Sequence, residues 1–244
     1  MSYSSHIEWT EASWNPITGC TKISEGCKYC YAERIAERLK KMGHQKYANG
    51  FKLTLHPECL DEPFLWKKSR IIFVCSMSDI FHEDVPIEFI REIFSVMNKA
   101  SHHIFQVLTK RSKRMKEIAS SLEWADNIWL GVTVESQNYI FRIQDLRETP
   151  AKTKFVSFEP LLSEISDFSL QGIDWIIVGG ESGPKSREMK KEWVYKIRDK
   201  CLSSGIPFFF KQWGGVNKKK NGRKLDGKIW NGMPTNKKFQ LGHV

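Results

Sequence analysis

Three of the chain's six cysteines, Cys20, Cys27 and Cys30, fall within eleven residues as C-x6-C-x2-C. Thiolates bind zinc and iron–sulfur clusters, and the two chemistries ask for different surroundings. Three thiolates on one loop can hold three corners of an iron–sulfur cube and leave the fourth iron open. A structural zinc ion instead completes its tetrahedron with a fourth protein ligand, and His44, His56 and Cys59 are at hand for that. Cys75 and Cys201 are expected inside a strand and a helix, packed as small hydrophobes. The histidines show no H-x-x-x-H or H-E-x-x-H spacing, and His102-His103 reads as a helix–strand junction.

The elements that must position this loop are legible as alternation. Short apolar runs rich in β-branched and aromatic residues recur: "ASWNPIT", "RIIFVCS", "HIFQVLT", "NIWLGVTVE", "KFVSFEP", "DWIIVGGE" and "IPFFFKQ". Continuous runs of this kind are strands covered on both faces. Between them lie amphipathic stretches at Tyr31–Met42, Pro86–Ala100, Arg114–Leu122, Tyr139–Leu146 and Lys191–Leu202. Strand–helix alternation implies an α/β fold, a parallel (β/α) TIM-like barrel, partial or full. Nearly every strand candidate runs into polar groups: Ser78 and Asp79, Lys110 and Arg111, Glu135, Glu159, Glu181, then Lys211 with Gln212. The carboxyl ends of parallel strands point to one rim, so these groups should converge there, as the groups of an active-site face do.

The expected organisation is a barrel domain over 1–212, with 43–69 as a possible insertion, and a basic C-terminal extension over 213–244. Of the net charge of +10, the whole excess sits late: residues 185–244 hold 16 Lys+Arg against 4 Asp+Glu. A localised basic segment carrying Trp213 and Trp230 suggests a polyanionic partner, nucleic acid first, the bland counterpart being a solvated tail. No apolar run is long enough to span a membrane, and the N-terminus lacks a secretory pattern. The expected location is therefore the reducing cytoplasm.

Beside this reading stands a resemblance. Three close cysteines after the first strand, Tyr29 just before the last of them, and a parallel βα domain resemble the radical S-adenosylmethionine (SAM) enzymes. "CKYCYA", "SMSDIFHEDV" and "FQVLTKRSKRM" look most like the branch that contains spore photoproduct lyase. "WNPITGC", "VSFEPL", "VGGESG" and "KQWGG" resemble the phage Gp37/Gp68 family of uncharacterised proteins over nearly the whole chain. The first resemblance implies a [4Fe-4S] cluster on Cys20, Cys27 and Cys30, bound S-adenosyl-L-methionine, and an external electron donor such as flavodoxin or ferredoxin. It further implies that Ser78, Asp79 and Lys110 grip the cofactor, that Tyr29 lies near its adenine, and that Thr133 and Glu135 lie near its ribose. Glu159, Glu181, Arg187, Lys211 and Gln212 would then lie further along the rim, toward a nucleic acid or nucleotide-like substrate.

Two departures stand out. The usual spacing is C-x3-C-x2-C, whereas "TKISEG" fills the first gap here, with Gly26 expected to permit a tight bend. Gly179-Gly180-Glu181 reads like the family's GGE element but follows the sixth strand rather than the second, so its role is not carried over. Two other functions fit the residues: a non-catalytic, zinc-containing nucleic-acid-binding protein, and a partner protein active only in a complex.

Overall fold

The computed structural model describes residues 7–235, so the last nine residues of the C-terminal extension lie outside the described residues. All seven apolar runs become strands of one sheet: β1 (Ala12–Trp14), β4 (Ile71–Val74), β5 (Ile104–Thr109), β6 (Ile128–Thr133), β7 (Thr153–Phe158), β8 (Trp175–Gly179) and β9 (Phe208–Gln212). They pair in that order, every neighbour parallel, with β1 and β9 as the two edges. The sheet curls into a half-barrel, the partial form of the expected architecture.

Side-chain alternation divides the strands between two apolar clusters. Val107, Leu130, Val132, Val156, Phe158, Ile176, Val178, Phe208 and Phe210 face the helices. Phe73, Ile104, Trp129, Phe155, Trp175, Ile177 and Phe209 face the interior of the half-barrel and close around Trp9. On the outer face α2 (Ile87–Lys99) buries Phe89, Ile90, Ile93, Phe94, Val96 and Met97, the stripe that a 3.6-residue period gives. α3 (Ser112–Ala119), α4 (Phe141–Arg147) and α5 (Lys191–Ser203) make the later crossovers, and Cys201 is buried inside α5. No helix among the described residues is long and apolar enough to cross a membrane.

Three places differ from the simplest alternation. Pro16 interrupts the first apolar run, leaving β1 and a two-residue β2 (Ile17–Thr18) in separate sheets. β2 pairs antiparallel with β3 (Thr54–Leu55), so the segment from 43 to 69, otherwise short 3-10 turns, is tied back to the chain just before the cysteine loop. Cys75 is not inside a strand: it follows β4, buried, with a left-handed φ of 58°. His102 and His103 do stand at the junction between α2 and β5.

The basic C-terminal segment is folded rather than free as far as it is described. After α6 (Lys218–Asn221), β10 (Lys224–Leu225) and β11 (Lys228–Ile229) form a hairpin that continues along β9. The amide of Phe210 donates to Trp230 O (3.0 Å) and that of Gly232 to Phe208 O (3.0 Å), so the edge strand's backbone is covered. Trp230 packs edge-on against Phe208 at 5.7 Å and Trp213 against Phe210 at 4.9 Å. Both indoles also donate to backbone carbonyls, of Leu225 and Lys224 respectively, so these rings work in packing.

Candidate active site

Above the interior aromatic layer, the same side-chain parity turns polar. Lys110, Thr133, Ser157, Glu159 and Lys211 continue the inward-facing rows toward the carboxyl rim, where a cavity of about 530 Å³ opens. That volume suits a small-molecule site, which typically runs to about 300–1,000 Å³. Its wall brings together Cys20, Cys27, Tyr29 and Cys30 with Ser78, Asp79, Lys110, Thr133, Glu159, Glu181, Lys211 and Gln212. Of the site residues expected from sequence, Glu135 and Arg187 are not part of the wall and act from behind it.

The cysteine loop is held at five of the six positions between Cys20 and Cys27, Lys22 by a 2.7 Å ion pair with Glu33 and the other four by residues far along the chain. Arg111 donates from Nη2 to Thr21 Oγ1 (2.7 Å) and from Nε to Glu83 (2.8 Å), and His82 Nε2 also meets Thr21 Oγ1 at 2.9 Å. Ser24 Oγ donates to Glu135 Oε1 (2.5 Å), and Ser136 Oγ donates to Glu25 Oε1 (2.6 Å). Arg187 Nη2 donates to Glu25 O (2.9 Å). Gly26 has no left-handed φ, so it is not there for a tight bend; a Cβ on it would sit 2.5 Å from Glu135 Cγ. The glycine lets the loop lie directly on a buried carboxylate.

Glu135 is fully buried and serves three partners: Ser24, Arg142 Nη1 at 2.7 Å and Lys110 Nζ at 3.4 Å. Burial alone would raise its carboxyl, but the Lys110 ammonium and Arg142 guanidinium outweigh that and hold it below the ordinary carboxylate value. Asp79 is saturated as well: Thr109 Oγ1 reaches both its oxygens (2.7 and 2.9 Å), and the amides of Phe81 and Lys110 donate at 3.0 and 3.1 Å. Ser78 donates to Ile17 O (2.9 Å), joining the rim after β4 to β2.

On the opposite flank, Lys211 Nζ pairs with Glu159. Arg187 clasps Glu181 through Nε, Nη2 and its own amide, at 2.9, 2.6 and 2.9 Å, and lies over the Tyr29 ring at 5.4 Å. Gly180 is fixed by contact rather than conformation, since a Cβ there would meet Trp213 O at 2.1 Å. Among the wall residues that escape a sequence reading are Trp9, near the N-terminus, and Ser157, one hydroxyl inside an apolar run. The signal for Ser157 was parity, because it follows Phe155 on the inward face.

The three thiols line one cavity without forming a closed single-ion site. Among the described residues no three His, Cys, Asp or Glu side chains are gathered closely enough for one metal ion. Thiolates on separate irons of a cube stand further apart than ligands of one ion, and these three share one cavity. The possible fourth zinc ligands are engaged elsewhere: His44 on Tyr47, His56 with Thr18 Oγ1 at 2.8 Å, and Cys59 accepting from Lys46 Nζ at 3.1 Å. Burial, followed by the charge of Asp79, pushes the Cys20 thiol up to about 12, and burial raises Cys30 against the amides of Glu33 and Ala32. A metal centre bound through these thiols displaces their protons to solvent.

A parallel half-barrel with a three-cysteine loop over its carboxyl rim defines the structural class. The chain belongs to the family described as "Protein of unknown function (DUF5131)", whose model matches residues 4–234. No curated protein matches the sequence. Among solved structures the chain is similar to spore photoproduct lyase complexed with dinucleoside spore photoproduct, with a TM-score of 0.52, 11% identity and 81% of this chain covered. It is also similar to a mutant of that lyase with bound AdoMet and dinucleoside spore photoproduct, with a TM-score of 0.51, 12% identity and the same coverage. In both cases the match spans 63% of the lyase chain, and at this identity it is the fold that is shared.

Proposed function

We propose that this chain is a radical S-adenosylmethionine enzyme that acts on a nucleic acid or nucleotide-like substrate in a reducing, cytoplasmic setting. One observation carries the reading: the three-cysteine loop and the carboxyl ends of seven parallel strands meet on a single cavity. The fold likeness to a lyase seen with AdoMet and a dinucleoside supports it. When bound, a [4Fe-4S] cluster and SAM supply one-electron cleavage of the sulfonium and hydrogen abstraction from an unactivated C–H bond.

The chain's own residues then have distinct tasks. Cys20, Cys27 and Cys30, which line one cavity, would hold three irons. Asp79 is fully occupied by backbone and hydroxyl donors, so it shapes the rim that carries Ser78 and Lys110 toward the cofactor. Thr133, at the end of β6, would meet the cofactor's ribose. Glu135 acts through the loop it supports rather than by contact, and the ion pair with it aims the Lys110 ammonium at the cavity. Tyr29, pinned beneath Arg187, presents a flat apolar face for a ring. The aromatic floor excludes water from beneath the reacting groups. An external one-electron donor of the flavodoxin or ferredoxin kind completes the requirement.

The test is direct. Anaerobically purified and reconstituted chain should contain about four irons and four sulfides per protein and negligible zinc. Its reduced EPR signal should change on adding SAM, and dithionite with SAM should yield 5′-deoxyadenosine. A colourless chain carrying one zinc overturns the proposal.

A further inference from the structure

Three buried polar atoms of the cavity-wall residues have no hydrogen-bond partner among the described residues: Ser157 Oγ, Trp9 Nε1 and Gln212 Oε1. Leaving a buried polar group unpaired costs more than a hydrogen bond returns, so such groups are rare in a folded chain. Three of them on one wall mark a place where partners arrive from outside. They occupy one flank: Ser157 is on β7, Gln212 ends β9, and Trp9 packs 6.4 Å from Phe155, the inward neighbour of Ser157.

Their chemistry limits what can bind. Gln212 Nε2 donates to Gly180 O at 3.1 Å, and turning the amide over would set two oxygens against each other, so Oε1 is left as an acceptor. The Trp9 indole is a donor only, and the Ser157 hydroxyl can play either part. The nearby charges are already neutralised in pairs, Lys211 with Glu159 and Arg187 with Glu181. The floor is aromatic, with Trp9 and Phe73 centroids 4.7 Å apart. A neutral, flat ring with both an N–H donor and a carbonyl or ring-nitrogen acceptor satisfies all of this, whereas an ionised phosphate accepts from Trp9 and Ser157 but offers Gln212 Oε1 no donor.

We propose that this flank is a nucleobase subsite. It rests on the reading of the cavity as the reaction chamber of a nucleotide-modifying enzyme, and it specifies which part of the substrate enters. The base lies on the aromatic floor, accepts from Trp9 and Ser157, and donates to Gln212 Oε1. The sugar–phosphate stays at the mouth, where Arg34 is exposed beside Gly183.

Calorimetry on the cluster-loaded chain tests this with thymidine, uridine, cytidine and guanosine, and with adenosine at saturating SAM so that it cannot report on the cofactor seat. Ribose 5-phosphate is the base-free control. At least one nucleoside should bind at least about tenfold more tightly than the control, and Ser157→Ala should weaken it about tenfold, the worth of one hydrogen bond to a neutral group. Trp9→Phe should weaken it similarly. Ser157→Ala should also raise Tm, because it deletes an unpaired buried hydroxyl; a lower Tm would mean the hydroxyl is partnered within the chain, and the subsite reading fails. Equal binding by wild type and Ser157→Ala, or binding of no nucleoside, also overturns it. SAM binding measured in parallel separates the two proposals: nucleosides failing while SAM binds sinks the subsite alone, and SAM failing while nucleosides bind sinks the radical chemistry alone.

Discussion

Replacing Glu135 with Gln removes one charge from a wholly buried cluster while leaving its shape nearly unchanged. The carboxylate is 0% exposed, with Arg142 Nη1 at 2.7 Å and Lys110 Nζ at 3.4 Å. Removing one partner of a buried ion pair costs about 3–5 kcal/mol, because the other charge stays behind unpaired. Here the two cations share one anion, and the amide oxygen of Gln still accepts one hydrogen bond worth about 1 kcal/mol. The expected loss at pH 7 is therefore about 3 kcal/mol, a fall in Tm of about 6–12 °C at about 2–4 °C per kcal/mol for a chain of this length.

The pH dependence carries its own sign. Burial opposes ionisation of Glu135, but Lys110 and Arg142 prevail, so the folded carboxyl titrates below its ordinary 4.5. A carboxyl depressed by folding contributes stability that is present above its unfolded value and is lost as pH falls through its folded one. The gap between wild type and Glu135→Gln should thus be full at pH 6–8 and close progressively below about 4.5. Thermal melts across that range read it, and thiol-labelling rates read the loop, which should become more reactive as Ser24 and Gly26 lose their support. A Tm change under about 2 °C at pH 7, or a gap that widens in acid, would refute the assignment of Glu135 as the charged support of this loop.

Other consequences are simpler to score. Ser replacement of Cys20, Cys27 or Cys30 should each abolish stoichiometric iron after reconstitution, whereas Cys59→Ser and Cys201→Ser should retain it, as iron and sulfide assays will report. Gly180→Ala places a Cβ 2.1 Å from Trp213 O, a backbone atom that cannot step aside; the expected cost is about 1–3 kcal/mol by urea unfolding. Trp230→Ala removes the ring from Phe208 and uncovers the β9 edge. It should cost about 3 kcal/mol and promote association on warming, visible by light scattering. Exposed Lys185 and Lys190, changed together to Glu, should weaken oligonucleotide binding and reduce the slope of log K against log salt by about 2.

How much of this was legible in the sequence depends on the scale of the signal. The strands announced themselves because both faces are covered, which demands uninterrupted apolar residues, and their order follows from crossover topology. The rim was legible because parallel strands end on one side, and so Asp79, Lys110, Glu159, Glu181 and Lys211 converge although they are far apart in the chain. What escaped was contact-level meaning. Nothing local distinguishes Gly26 as a glycine needed for close approach from one needed for a bend; only the position of Glu135, more than a hundred residues away, decides it. Trp213 and Trp230 sit among lysines and so read as surface rings, yet an uncovered sheet edge is a stronger demand than solvation, and they were recruited to it. Ser157 and Trp9 carry no motif at all, because their significance lies in partners they lack.

The departure in cysteine spacing acquires a physical account from the same contacts. Three residues beyond the usual gap add chain that must be ordered, at about 1–2 kcal/mol of backbone entropy each. If that length were slack, Cys20 would be poorly placed relative to Cys27 and Cys30. Instead Thr21 is seated on the β4–β5 side through Arg111 and His82, Ser24 and Gly26 both rest on Glu135 just past β6, and Glu25 is held by the Ser136 hydroxyl and Arg187. Each anchor is a charge-assisted or buried hydrogen bond, or a contact with one, and several are supplied by residues at strand ends that would otherwise be free to face the cavity. The longer loop thus exchanges rim side chains for loop rigidity. That is why Glu135 and Arg187, which the resemblance implied for ligands, are found holding the segment between the cysteines, while the buried atoms left unpaired on the wall residues are neutral ones.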